Sequence, residues 1–79
     1  MIKQIEVWYD IGADEWTVSM CDEDGEEIVC ISTHDKEEDA LDAGIIAAKN
    51  CGLQLFRWDL DGAYTTNRYA KVHVPLEAS

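Results

Sequence analysis

The 79-residue sequence predicts an α+β domain: an antiparallel sheet of four to five strands, in βββαββ order, with one helix packed on one face. Three observations carry that prediction. Only one stretch, Thr33 to Gly52, repeats its apolar residues with the 3.6-residue period of a helix. Four other stretches alternate apolar and polar residues, the period-two pattern of a half-buried strand, and a fifth (Glu26–Ile31) is mostly apolar after its first two residues. Between strands stand Asp24-Gly25 and Asp61-Gly62, dipeptides that tolerate the positive φ angles of hairpin turns. A meander with a helix laid across it is the economical packing of such a set.

In chain order, Ile2–Asp10 places Ile5, Val7 and Tyr9 on one face and Gln4, Glu6 and Trp8 on the other. Ile11-Gly12-Ala13-Asp14 reads as a turn. Glu15–Cys21 sets Trp16, Val18 and Met20 against Thr17 and Ser19, and Asp22-Glu23-Asp24-Gly25 turns the chain into Glu26–Ile31. Ser32 or Thr33 is the expected helix cap, with Asp35, Glu37, Glu38 and Asp39 meeting the positive end of the helix dipole. Lys49 and Gly52 mark the other end. At about 100° per residue, Leu41, Gly44, Ile45, Ala48 and Cys51 share one face, with Ala40 and Glu37 at its margin. Asp39, Ala43, Ile46 and Asn50 take the opposite face, which leaves Ile46 pointing away from the core. Glycine in mid-helix costs about 1 kcal/mol against alanine, so Gly44 is expected where helix and sheet approach closely. Leu53–Asp59 sets Leu53 and Leu55 against Gln54, Phe56 and Trp58. After Asp61-Gly62, Ala63–Thr65 is expected as a short return strand, and Arg68–Val74 as the last strand, stopped by Pro75. Residues 75–79 are expected to fray. Trp8, Phe56 and Trp58 are candidates for the sheet face away from the helix.

The chain is expected to form one domain over residues 1–79. Its apolar share of 47% is that of a folded protein, so charge alone does not argue for disorder. No apolar run reaches the roughly 18 residues of a membrane span, and no signal-peptide pattern is read at the start. Cys21, Cys30 and Cys51, odd in number, fit reduced, buried or half-buried thiols in a cytoplasm. From Glu6 to Asp42 there are 14 acids against one base, Lys36, a balance of −13; the rest has three acids and five bases, +2, giving the net −11. Such a surface repels phosphate and anionic lipid and attracts basic proteins. Direct nucleic-acid or membrane binding is therefore not expected.

The remaining residue constellations have plainer explanations than a chemical site. Aligning Gly25 or Gly62 with the sixth position of a calcium-binding loop puts Met20 or Arg57 at the first, where an oxygen ligand is required. His34, His73 and the cysteines lack zinc-ligand spacing. Ser32-Thr33-His34-Asp35 holds the residue types of a nucleophile and base, but helix capping accounts for them. No enzyme, metal or cofactor is expected.

The acidic surface then carries the functional expectation. Carboxylates on a rigid scaffold can occupy a channel whose lysines and arginines are built for phosphates. The expected partner-binding residues are Asp22, Glu23, Asp24, Glu26 and Glu27 in the hairpin, Asp35, Glu37, Glu38, Asp39 and Asp42 at the helix start, and Ile46. One edge of the domain is expected to carry both acidic clusters. Trp16 in a strand, the acidic hairpin turn, the acid-started alanine-rich helix and the strand into Asp-Gly together resemble a group of small bacterial domains of unknown function. In outline they are also similar to HicB-type antitoxins, which place a helix on a three- or four-stranded sheet. Size, acidity and compactness resemble phage anti-CRISPR proteins. That second resemblance implies an inhibitor that mimics nucleic acid and blocks a basic channel of a host defence complex (anti-CRISPR or anti-restriction), in the host cytoplasm, as monomer or homodimer. The partner is then a basic host protein or nucleoprotein complex. The alternative is an antitoxin-like or accessory interaction module that uses Ile46 and the sheet aromatics.

Overall fold

The computed structural model describes residues 1–59 and 70–76. It contains β1 (Gln4–Asp10), β2 (Glu15–Cys21), β3 (Glu27–His34), α1 (Glu37–Cys51), β4 (Gln54–Asp59) and β5 (Ala70–Val74). The class is α+β, a five-stranded sheet with one helix packed on it. The Asp61-Gly62 turn and the Ala63–Thr65 strand expected from the sequence lie outside the described residues.

The sheet order is β3-β2-β1-β4-β5. It is mixed rather than wholly antiparallel, because β4 pairs parallel to β1 while the other neighbours pair antiparallel. The physical reason lies in α1. Parallel strands cannot be joined by a tight turn and need a crossover. The helix supplies one, carrying the chain from edge strand β3 over β2 and β1 to the far side of β1.

Ile5, Val7, Val18 and Leu55 from the sheet are fully buried against Ala40, Gly44 and Ala48, which stand one above another at four-residue steps on α1. Gly44 belongs to that contact. A Cβ there would lie 3.0 Å from Val7 Cγ2 and 3.1 Å from Leu55 Cδ1, so the glycine sets how closely helix and sheet approach. Leu41, Ala43, Ile45 and Ala47 flank this stripe, half-buried against the core. Ala43 thus belongs to the packed side rather than the outer one, and Cys51, expected inside, is exposed. Ile46 does point outward, at 62% exposure.

The helix starts later than the sequence predicts. β3 runs on through His34, so Ser32 and Thr33 pair with β2 instead of capping α1. The N-cap is Lys36, in extended backbone and with no side-chain cap bond, and Asp35 precedes the helix. β-branched Ile31 and Thr33 prolong the strand, and ladder bonds to β2 outweigh a capping bond. At the other end Gly52 is left-handed (φ 68°), and the Leu53 N–H donates to Ala48 O at 3.0 Å. Leu76, expected in a frayed tail, is half-buried against the core; residues 77–79 lie outside the described residues.

Candidate functional site

The expected binding acids fall into two groups at opposite ends of β3. Asp22, Glu23, Asp24, Glu26 and Glu27 form the β2–β3 turn and the start of β3, whereas Asp35, Glu37, Glu38, Asp39 and Asp42 follow its far end. Seven strand steps at about 3.3 Å separate the groups by roughly 23 Å. One strand joins the clusters in sequence, but a strand is extended, so they do not sit side by side. Antiparallel pairing brings the β1–β2 turn, with Asp10, Asp14 and Glu15, to the helix-start end instead.

The β2–β3 turn is tightly held. Asp22 Oδ1 accepts the backbone N–H groups of Asp24 (2.9 Å) and Glu26 (3.0 Å). The Gly25 N–H donates to Asp22 O, and the Asp22 N–H to Glu26 O, both at 3.0 Å. Asp22 is therefore half-buried and spent on the turn itself. Glu27 is also engaged, for its Oε2 accepts the Ser19 hydroxyl at 2.9 Å. Glu23, Asp24 and Glu26 are left exposed on a fixed backbone. The opposite turn is pinned in the same manner: Asp10 Oδ1 accepts the Gly12 N–H at 3.0 Å and the Ala13 N–H at 3.4 Å, and the Tyr9 hydroxyl donates to Asp14.

The sheet face away from the helix holds a network that the alternation pattern did not reveal. Glu6 is only 1% exposed. Its Oε1 accepts Trp58 Nε1–H at 2.7 Å; its Oε2 accepts Gln4 Nε2–H at 2.6 Å and faces Lys71 Nζ at 3.4 Å. Lys71 Nζ lies 5.5 Å from the ring centroids of both Phe56 and Trp58. Trp8 Nε1–H donates to Ser19 Oγ at 3.0 Å, and Phe56 packs edge-on against His73 at 5.4 Å. Gly25 (φ 86°) curls over this face: a Cβ there would stand 3.6 Å from both Glu6 Oε2 and Lys71 Nζ. The hairpin thereby covers the buried carboxylate. Trp8, Phe56 and Trp58 do share this face, but as half-buried members of a bonded network rather than an open apolar platform. The available signal is an acid flanked at i±2 by Gln4 and Trp8 on one face of an alternating strand, with a tryptophan and a lysine on later strands.

Ser32 Oγ and His34 Nε2 stand 2.9 Å apart on β3. This is the spacing of a nucleophile and its base, so the capping explanation of these residues does not hold. Among the described residues none hydrogen-bonds the other ring nitrogen, the position where such chemistry places an orienting group. All three cysteines are free. Cys21 is buried, but Cys30 and Cys51 are exposed, contrary to the expectation of burial. Partial desolvation, then the charges of Glu27 and Glu15, push the Cys30 thiol above its ordinary pKa. Among the described residues no group of three or more His, Cys, Asp or Glu is placed to hold a metal ion, and no helix is long and apolar enough to cross a membrane. Compared with known proteins, the chain matches no family model, no curated protein and no solved structure.

Proposed function

We propose that the chain is an inhibitor-type binding protein that occupies a basic nucleic-acid-binding channel of another protein or nucleoprotein complex, in the manner of an anti-CRISPR or anti-restriction protein in a host cytoplasm. The observation that carries this reading is the pinned β2–β3 turn. Asp22 holds the backbone through its side chain and its main chain, so Glu23, Asp24 and Glu26 stand on a turn that need not be ordered on docking. A second acidic group stands roughly 23 Å away, a span of about seven base steps at about 3.4 Å each. Together the two groups resemble a short length of phosphate backbone held rigid.

Each exposed ion pair contributes only about 0–1 kcal/mol, whereas several desolvated together contribute far more. The test is the triple variant Glu23→Lys, Asp24→Lys and Glu26→Lys, which spares Asp22. Immobilised protein is exposed to a bacterial lysate, and captured nucleic-acid-binding proteins are eluted with duplex DNA, RNA or salt. Capture at about 50 mM salt, release by nucleic acid, and loss in the triple variant are expected, because counter-charge docking is screened. A folded triple variant that captures the same protein at full strength overturns the proposal. One observation favours a second reading, an antitoxin-like module that docks through an apolar contact: Ile46 stands 62% exposed on the outer face of α1. Under that reading Ile46→Asp abolishes capture and salt does not.

A further inference from the structure

We infer that the outer edge of β3 is a docking site for an extended segment of a partner protein, apolar at its centre and bearing Lys or Arg at both ends, which adds as a sixth strand. The inference goes beyond the carboxylate reading above: it rests on the backbone edge that lies between the two acidic groups, with Glu26, Glu27 and Asp35 bordering both. β3 is an edge strand of eight residues, and among the described residues nothing pairs with its outer side. Such an edge offers a row of unused backbone donors and acceptors, which soluble proteins usually blunt with lysine or proline. Residues 27–34 contain neither. Two irregularities in the β2–β3 pairing add local twist, yet Ile28 (45% exposed), Val29 (46%) and Ile31 (37%) keep a substantial part of their surface in solvent.

Charge selects the occupant. Glu26 and Glu27 stand at the start of β3 and Asp35 just past its end, so the apolar stretch is bracketed by acids. A second copy paired antiparallel with Glu27 opposite His34 would set Glu26 against Asp35, and would bring another net −11 to the contact. Like charges directly opposite are unfavourable, so self-pairing is opposed where a basic-ended strand is favoured. Strand addition takes its affinity from main-chain bonds and its selectivity from alternate side chains.

The probe is a fluorescent nonapeptide of alternating valine, threonine and isoleucine with two lysines at each end, titrated against the full chain. Saturable binding is expected, with slower amide hydrogen exchange confined to β3. N-methylation of alternate peptide amides, which deletes its donors, is expected to abolish binding. Replacing its lysines with glutamates, or introducing Ile28→Lys with Ile31→Lys in the protein, is expected to weaken it at least tenfold. No binding, equal binding of the N-methylated peptide, or unchanged β3 exchange overturns the inference. So does concentration-dependent self-association that protects β3, which would make a second copy the occupant. The N-methylated control uses the unaltered protein, so a misfolded variant cannot decide the outcome.

Discussion

Glu6 and Gly44 each answer to a single local constraint. Glu6 sits where the alternation places a solvent-facing acid, yet its two oxygens receive an indole N–H, an amide N–H and a lysine. A buried carboxylate is tolerated when its lone pairs are filled, and removing it strands its donors. Glu6→Ala should therefore cost about 1–3 kcal/mol, read as a fall in Tm of several degrees by calorimetry. A loss no larger than that of an exposed control such as Glu38→Ala would show that Lys71 and Trp58 find water instead. Gly44 is the reverse case, a residue defined by what it lacks. With the nearest Val7 and Leu55 atoms 3.0 and 3.1 Å from a hypothetical Cβ, Gly44→Leu should overpack the interface by about 1–3 kcal/mol or more. An unchanged or raised Tm would mean that helix and sheet separate freely.

Among the elements, α1 has one good terminus and one poor one. Gly52 closes its C-terminus, but Lys36 at the N-cap offers no acceptor to the first turn and adds positive charge to the positive end of the dipole. A serine cap is worth about 1 kcal/mol, whereas an exposed lysine near acids is worth about 0–1 kcal/mol. Lys36→Ser should therefore raise Tm by a few degrees in thermal melts. A fall would show that Lys36 relieves the repulsion among Glu37, Glu38 and Asp39. The same element shows how far the sequence could be read. Ala40 stands only at the margin of the expected face and Cys51, expected on it, is exposed; the inward Gly44 and Ala48, the Gly52 stop and the outward Ile46 follow from helical period and glycine conformation, both local properties. The helix start did not, because Ser32 and Thr33 serve equally as caps or as strand residues, and only pairing with β2 decides between them. The parallel β1–β4 pairing also lay beyond local reading, since nothing in Gln54–Asp59 states which neighbour it meets. For the candidate site, the acids themselves were legible. Which of them are free, and that Asp22 is spent on its own turn, required the backbone.

The whole molecule concentrates 14 acids and one base between Glu6 and Asp42, and these residues form β1, β2, β3 and the first turns of α1. Folding gathers these charges from an extended chain into one sheet-and-helix layer. The compact state therefore carries a self-repulsion that the unfolded chain largely avoids. The one ion pair found among the described residues that opposes it, Glu6 with Lys71, is partly shielded from solvent and so is screened less than the exposed acids. Added salt acts on both terms, but unequally. Raising ionic strength from about 0.01 M to 1 M shortens the screening length from about 30 Å to about 3 Å, which removes most of the repulsion across the surface and little of the Glu6–Lys71 attraction. Sodium chloride should therefore raise Tm progressively, and the triple variant Glu23→Lys, Asp24→Lys and Glu26→Lys, six charge units less negative, should gain less from the same addition. Calorimetry of both proteins across the salt series checks the pair of expectations. If Tm falls with salt, the surface acids are held by partners rather than repelling one another, and the acidic ends would not be available for a basic channel. An equal gain in both proteins would place the repulsion at the helix-start end alone.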